Sequence, residues 1–511
     1  MVEYEAVMST VSNSGAGDAG DGVGAAPAVD APVSTWLTYI EAMHPAEIEL
    51  GLDRLDRVAR RLGLTPSLVP AQVVTVAGTN GKGSTVAALE ALCQSAGITC
   101  AAYTSPHLTH FGERLRVNGV ETDASAWRPY FARVAWACGL CPDRPCPEGQ
   151  RMPVSVSVAA TAEPSSSFER IDLTFFEFTT LAAFLYLMDQ SVACWILEIG
   201  LGGRLDAVNW LTPSLSIVTR IAHDHHQWLG ADLVAIAREK CGIFRSGVPA
   251  LWVDAEAPAT VDTTVKMAAL ACAVARLYDA KDFGWRDNDR DHTRCFFGCD
   301  ASGQTWTCSI PPSIPPSIPL SIPSSMEMGD ALTNVKRYAQ LHPAAWAAAL
   351  QAMALLFPQA LAALPVVQLA TVIQETQLLG RFSVCAQPDM EHGTRNWIFD
   401  LAHNIDAVMS KLRAARLSSV VSVFAVMADK PWQAMIDAVL PWVSRWVLLD
   451  VATERRVAPT VVAQYLRDRG ADCVVLLEPE SRWFECVTVG CSADDTVLVW
   501  GSFFTVGPFL R

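Results

Sequence analysis

Positive charge is scarce in this sequence. Lys and Arg number 38 against 53 Asp and Glu, for a formal net charge of −15. A general nucleic-acid binder needs basic surface to neutralise phosphates, so that class of partner is excluded. Anionic small molecules stay in play, because local cations and metal ions decide their binding. The first basic residue is Arg54. With no Arg- or Lys-rich start, neither a secretory nor a mitochondrial signal is supported, and a cytoplasmic location is expected. Charge of either sign is sparse, at 18% of residues, and Ala344 to Ile373 carries none. That stretch raises a membrane span. Pro358, Pro365, Gln351, Gln359 and Gln368 interrupt it, and alanine dominates. A buried helix pair is therefore expected, with no membrane partner.

Cysteine is not lacking, but it is dispersed. The 15 cysteines are spread along 511 residues, which favours reduced thiols over a disulfide scaffold. Cys138, Cys141 and Cys146 cluster, as do Cys295 and Cys299. Their loose spacing, in stretches that read as irregular, argues against a zinc site.

The length and a 51% hydrophobic content imply more than one domain, each with a large core. Residues 1–33, rich in Gly, Ala, Asp and Ser, read as a disordered tail. Trp36 to Leu64 has helical periodicity. Ile98 to Tyr103, Cys194 to Ile199 and Leu215 to Ile221 read as strands, and Phe175 to Met188 and Leu233 to Lys240 as helices. Alternating strands and helices predict an α/β fold with a mainly parallel sheet. Trp397 to Leu401, Val420 to Val426, Trp446 to Leu449, Cys473 to Leu477 and Thr496 to Val499 predict a second, smaller doubly wound α/β unit. Two segments look inserted. Gly139 to Phe168 is rich in Pro, Cys and Ser, and Ser309 to Pro323 repeats Ser-Ile-Pro four times. The repeat predicts an extended linker. The expected division is a nucleotide-binding domain over 34–378, interrupted near 139–168 and 309–325, and a C-terminal domain over 379–511.

Val73 to Thr85 read Val-Val-Thr-Val-Ala-Gly-Thr-Asn-Gly-Lys-Gly-Ser-Thr. A β-branched run meets a glycine turn, a lysine, two hydroxyls and then a helical pattern. This predicts a phosphate cradle of Gly78, Thr79, Asn80, Gly81, Lys82, Gly83, Ser84 and Thr85. Backbone N–H groups face the anion, Lys82 adds a point charge, and Ser84 or Thr85 can ligate Mg²⁺. ATP is the expected cofactor. The match to the usual P-loop is imperfect: Val76 stands at its first glycine, and Gly83 separates Lys82 from Ser84. Glu198 follows a buried strand beside Gly200-Leu201-Gly202-Gly203, where a carboxylate suits a hard cation.

The string Gly-Thr-Asn-Gly-Lys-Gly-Ser-Thr resembles the Mur ligase superfamily, and within it the folylpolyglutamate and dihydrofolate synthases. The resemblance extends over Ser105-Pro106-His107-Leu108, Glu113 to Gly119, Leu197 to Asn209 and Ile236 to Phe244. It continues through Gly380-Arg381-Phe382, Asp400 to Asn404, Ala428-Asp429-Lys430 and Gly501 to Gly507. It implies metal ligands at Ser84, Ser105, Glu198 and His225, the last from Asp224-His225 before Leu229-Gly230. A histidine ligand makes Mn²⁺ an alternative to Mg²⁺. It implies that Lys240 is carbamylated, which turns an ammonium that would repel the metal into a carboxylate-like group. It places Arg381, Asp400 and His403 across a cleft from the phosphate turn, Arg381 and Asp400 serving ATP and His403 joining Lys82 and Lys240 in catalysis. Glu177 matches a position near the cleft, and Asp206 is a candidate substrate contact.

The implied reaction is an ATP-dependent ligation in which a folate or dihydropteroate carboxylate is phosphorylated and the amino group of L-glutamate attacks. Gly203-Arg204-Leu205-Asp206 resembles the bifunctional members more than the polyglutamate-only ones. A monomer acting on small molecules is expected. The sequence departs from the family at Val208, Ile405 and Pro343. The last lacks the amide that the family usually offers to adenine. Rival readings are a cell-wall-type ligase of the same superfamily, a synthase without the dihydrofolate activity, and a non-catalytic nucleotide-binding relative.

Overall fold

In the computed structural model, residues 24–510 are described apart from 47, 68, 142–168, 231, 289–292, 311–336, 339–340, 379, 390–392, 403, 406–407, 410–418, 490 and 493–494. An eight-stranded sheet comprises β1 (Gln72–Ala77), β2 (Cys100–Tyr103), β3 (Leu115–Val117), β4 (Val120–Glu121), β5 (Cys194–Glu198), β6 (Leu215–Val218), β7 (Ala250–Trp252) and β8 (Leu277–Tyr278). Its order is β4-β3-β2-β5-β1-β6-β7-β8. The six strands from β2 to β8 in that order are parallel, and β3 and β4 close one edge antiparallel.

After Gln72 every residue of β1 is buried, as a central parallel strand covered on both faces requires. Strand alternation divides these side chains between two cores. Val73 joins Tyr103, Trp195 and Leu197 on one face, under the helix Phe175–Met188. Val74 and Val76 join Ala102 and Ile196 on the other, under the helices Lys82–Ser95 and Pro343–Leu356.

β9 (Gly284–Asp287), β10 (Arg294–Cys299) and β11 (Thr305–Ile310) form a small antiparallel sheet. The third sheet comprises β12 (Arg337–Tyr338), β13 (Arg381–Asp389), β14 (Gly393–Asp400), β15 (Val420–Phe424), β16 (Val443–Leu449), β17 (Cys473–Leu476) and β18 (Thr496–Trp500). Its order is β12-β13-β14-β18-β15-β16-β17, parallel from β14 to β17. The fold is thus α/β with two parallel-centred sheets.

Four expectations need correction. The tail expected to reach residue 33 packs from Gly24 onward. Trp36 donates to Ala28 O at 3.1 Å, Tyr39 to Gly24 O at 3.0 Å, and Ala26 N to Leu140 O at 3.2 Å. Aromatic donors further along the chain tie down a segment that composition alone reads as free. Second, the uncharged stretch makes three helical segments, Pro343–Leu356, Pro358–Ala363 and Val366–Glu375. Pro358 opens the second, and Pro365 caps the third, since proline suits a helix start and not its interior. Third, Ser309 and Ile310 belong to β11, with Ile310 buried; the rest of the Ser-Ile-Pro repeat lies outside the described residues. Fourth, Cys295 and Cys299 sit on β10 rather than in an irregular stretch, and Cys138 caps the helix Arg128–Ala137. Cys146 lies outside the described residues. Among the described residues, no helix is long and apolar enough to cross a membrane.

Candidate active site

Parallel strands bring their C-terminal ends to one rim, where ligands gather. β2, β5, β1 and β6 are consecutive neighbours, so Ser105, Glu198, the phosphate turn and the segment leading to His225 all leave from that rim.

The turn itself is held from behind by the segment after β6. Thr79 N donates to Arg220 O at 2.7 Å, and the Thr79 hydroxyl donates to Ala222 O at 3.0 Å. Thr219 Oγ1 donates to Asn80 O at 2.8 Å. Gly78 has φ 149°, and a Cβ there would stand 1.8 Å from Thr219 Oγ1. Gly81, at φ 90°, precedes the helix Lys82–Ser95, and no side chain caps that helix start. Its first N–H groups therefore face outward, which is the arrangement that receives phosphate. The Val76 and Gly83 irregularities leave the strand, turn and helix intact.

Two lysines meet at this turn. Lys82 Nζ donates to Gly78 O at 3.0 Å and to Thr79 O at 3.4 Å. Lys240 Nζ donates to the same Gly78 carbonyl at 3.0 Å from a buried position. Burial, reinforced by the Lys82 charge, pulls Lys240 down to about 7, against opposing pulls from Asp224 and Asp206. The glycine turn after β5 makes room for the helix that carries it. A Cβ on Gly203 would lie 2.5 Å from Glu239 O and 2.8 Å from Lys240 O.

The Glu198 carboxylate faces the first turn of the helix Lys82–Ser95, since its oxygens stand 3.9 Å from where a Gly83 Cβ would be. One carboxylate beside Ser84 suits a hard cation that takes its other ligands from phosphate and water. The described residues form no group of three or more His, Cys, Asp and Glu able to hold a metal by themselves.

His225 adopts a left-handed backbone, φ 51°, rare outside glycine. Its ring turns toward the second unit, with Nε2 3.4 Å from Lys430 Nζ and Nδ1 3.9 Å from Asp429 Oδ2. Lys430 Nζ also donates to buried Asp224 at 2.8 Å, and Arg455 pairs with Asp429 at 3.2 Å. Burial alone would raise Asp429, but Lys430 and Arg455 hold it below the usual carboxylate range. A second bridge joins Asn80 of the phosphate turn to Asn404. Asn80 Nδ2 donates to Asn404 Oδ1 at 3.2 Å, and Asn404 Nδ2 donates back at 2.8 Å.

The other expected residues fall as follows. Asp400 ends β14 and accepts from Ala402 N at 2.7 Å. Arg381 pairs with it across the β13–β14 ladder through the backbone; the Arg381 side chain and His403 lie outside what is described. Asp206 is buried in the glycine turn. It accepts from Leu201 N at 2.8 Å and caps Ala207–Trp210 through Val208 N at 2.9 Å. Burial pushes it up to about 7, against these bonds and the Lys82 charge. Glu177 closes a capping box with Thr174 and takes an ion pair from Arg54 at 2.7 Å, which already gives it a structural role.

Sequence reading gave no role to Asn404, Asp224, Asp429 or Lys430, although the motifs containing them were visible. The signal was a polar pair a few residues past a buried strand in each unit, Asp224-His225 after β6 and Asp429-Lys430 after β15. It also gave none to Arg114, which is 93% buried, since only 7% of its surface is exposed.

A phosphate turn on one α/β unit, bridged to a second α/β unit by the Asn80–Asn404 and Asp224–Lys430 pairs, is the frame of an ATP-dependent ligase of the Mur type. Residues 380–503 match the family described as "Mur ligase, glutamate ligase domain". The dihydrofolate synthase/folylpolyglutamate synthase of Escherichia coli K12 is 31% identical over 491 residues, covering 95% of this chain and 96% of that one. The solved structure of E. coli FolC with DHPP and ADP superposes with a TM-score of 0.70 at 29% identity, over 95% of this chain and 98% of that one. A bifunctional folylpolyglutamate synthase/dihydrofolate synthase with Mn, AMPPNP and L-glutamate bound gives 0.71 at 28% identity, with the same coverage. The chain belongs to the dihydrofolate synthase/folylpolyglutamate synthase family.

Proposed function

We propose that this protein is an ATP- and divalent-metal-dependent ligase joining L-glutamate to a folate-type acid, with dihydropteroate as a second acid substrate. The observation that supports it most is the junction of the phosphate turn, Lys82 and Lys240 with the unit that resembles a glutamate ligase, bridged by Asn80 and Asn404. The helix N-terminus and Lys82 bind and orient the triphosphate. Lys82 also neutralises charge as the terminal phosphoryl group passes to the substrate carboxylate. The resulting acyl phosphate is attacked by the glutamate amino group, and inorganic phosphate leaves. Glu198, with Ser84, Ser105 and His225, would hold Mg²⁺ or Mn²⁺, which when bound offsets charge on the phosphates. Arg381, Asp400 and His403 complete the nucleotide side of the cleft in this reading, and Asp206 and Glu177 border the acid substrate.

Lys240 is the modified lysine of the proposal. Its depressed value gives a large share of neutral amine near neutral pH. The amine nitrogen adds to the carbon of dissolved CO₂ and releases one proton, leaving a carbamate beside the metal. The name shared by relatives that span nearly the whole chain favours two activities over one. We place the enzyme in the cytoplasm as a monomer, since both halves of the site come from one chain.

The test is phosphate release from ATP with Mg²⁺. Release should require an acid and glutamate together, with dihydropteroate and tetrahydrofolate assayed side by side. No turnover with any pteroate or folate in a panel would sink the reading. Turnover with tetrahydrofolate alone would leave the single-activity form.

A further inference from the structure

The loop 104–114, which joins β2 to β3 and carries Ser105, packs into both units. Its ends meet where Thr104 N donates to Arg114 O at 2.8 Å. Two of its apolar side chains, three residues apart, end in different cores. Phe111 belongs to the first unit, with ring centres 4.8 Å from Trp127 and 5.8 Å from Phe131. Leu108 belongs to the core of the second unit, with Trp397, Phe399 and Leu401. It is 9% exposed, and among the described residues it is the one side chain in that core from before residue 380. Its seat is the backbone of Gly380. A Cβ there, at φ 73°, would lie 3.2 Å from Leu108 Cδ2 and 2.9 Å from Leu401 Cδ1. Leu401 N donates to Gly380 O at 2.8 Å and closes the seat. Arg381 follows Gly380, and Asp400 precedes Leu401.

Glu113 sets the shape of the loop. Its carboxylate accepts from Leu108 N at 2.6 Å, Thr109 N at 2.5 Å and His110 N at 2.8 Å, and from the Thr109 hydroxyl. Burial alone would raise Glu113, but these bonds hold it below the usual carboxylate range. Several N–H groups gathered on one ionised carboxylate make a charge-assisted clasp. The rear of the loop is fixed at Gly112, where a Cβ would stand 2.0 Å from Thr122 O.

We propose that Leu108 is a positioning residue for the nucleotide: seated against Gly380 and Leu401, and presented there by Glu113, it holds Arg381 and Asp400 opposite the phosphate turn. This rests on the reading that assigns those two residues to ATP. The Asn80–Asn404 and Asp224–Lys430 pairs join the units through polar groups that water also satisfies. Leu108 adds an apolar contact, which water does not replace. A binding group displaced by about an ångström loses much of its effect, so the seat acts on the nucleotide without touching it.

The test reads the full chain in two ways, by amide hydrogen exchange and by calorimetry with Mg²⁺ and the non-hydrolysable ATP analogue AMPPNP. In Leu108→Ala, exchange at Leu401 should quicken about tenfold or more, while Leu108–His110 stay protected by Glu113. AMPPNP should bind about tenfold more weakly. Leu108→Met nearly conserves the volume and should restore both. Glu113→Gln should quicken exchange at Leu108–His110 and at Leu401 together and weaken AMPPNP; it replaces the Ala variant if that one does not fold. A folded Leu108→Ala with wild-type affinity for AMPPNP overturns the proposal, even if exchange at Leu401 has risen, since local packing alone would give that. So does Leu108→Met binding as weakly as Leu108→Ala. A wild type that binds AMPPNP but turns over no pteroate or folate would instead overturn the ligase reading and leave the seat of Leu108 standing.

Discussion

Lys240→Met should make the protein more stable and less active, with a pH dependence that identifies the cause. In the fold Lys240 is held at about 7, against an ordinary 10.5. Between those values the unfolded chain carries a proton that the folded chain has released. Stability therefore rises with pH across that window, and the full cost of burying the ammonium is present below about 7. At about 1.4 kcal/mol per pH unit, the upper bound on that cost is ~5 kcal/mol. Methionine is close in volume and forfeits the bond to Gly78 O, worth about 1 kcal/mol. The net expectation is a gain of about 2–4 kcal/mol at pH 6.5, shrinking to within about 1 kcal/mol by pH 9.5. Denaturant titration at both pH values, in buffers free of CO₂ and bicarbonate so that the amine is unmodified, reads this directly. A gain of equal size at both pH values, or a loss at pH 6.5, would refute the argument. Such a result would mean that the lysine is not held neutral by burial. Ligase turnover should fall steeply in the same variant. Partial rescue of Lys240→Ala by short carboxylates would tie the loss to a carbamate.

Three further outcomes are expected. Lys430→Met removes the ammonium paired with the buried Asp224 carboxylate, which should lower stability by about 3 kcal/mol or more; a loss below ~1 kcal/mol on denaturant titration would show that the junction between the two units is held elsewhere. Gly78→Ala forces a side chain into Thr219 and strains the turn by about 1–3 kcal/mol, so ATP affinity measured by calorimetry should drop at least about tenfold with helix content unchanged. Glu177→Gln removes the charge that pairs with Arg54 while keeping the shape of the capping box, and should lower stability by about 1–3 kcal/mol. If turnover falls while stability holds, Glu177 serves the substrate rather than the helix.

Local patterns read well from the residues, because their causes are local. The strand β1, its glycine turn and the helix Lys82–Ser95 follow from β-branching, left-handed glycines and helix periodicity within a few residues. The helix Phe175–Met188 was legible to the residue, since Thr174 and Glu177 cap it by themselves. Where partners are distant, composition misled. Gly24 to Val33 reads as tail, yet it packs because Trp36, Tyr39 and Leu140 supply its hydrogen-bond partners. The sheet β9–β11 gave no periodic signal that stood out, and it forms through antiparallel pairing of its own strands and through Gln351 of the helix behind it, which bonds the Cys299 backbone.

The sequence by itself determined the two α/β units, the phosphate turn and the order of motifs that marks the family. Each of those is written in short-range spacing and residue type. Only the tertiary structure decided that Lys82 and Lys240 share one carbonyl, that Lys430 reaches Asp224 and His225, and that Arg114 is buried between Phe111 and Phe175. Those facts depend on burial and on charges brought together from residues up to 324 positions apart, as in the Asn80–Asn404 pair. Neither burial nor such proximity is visible along a chain until the sheets have formed.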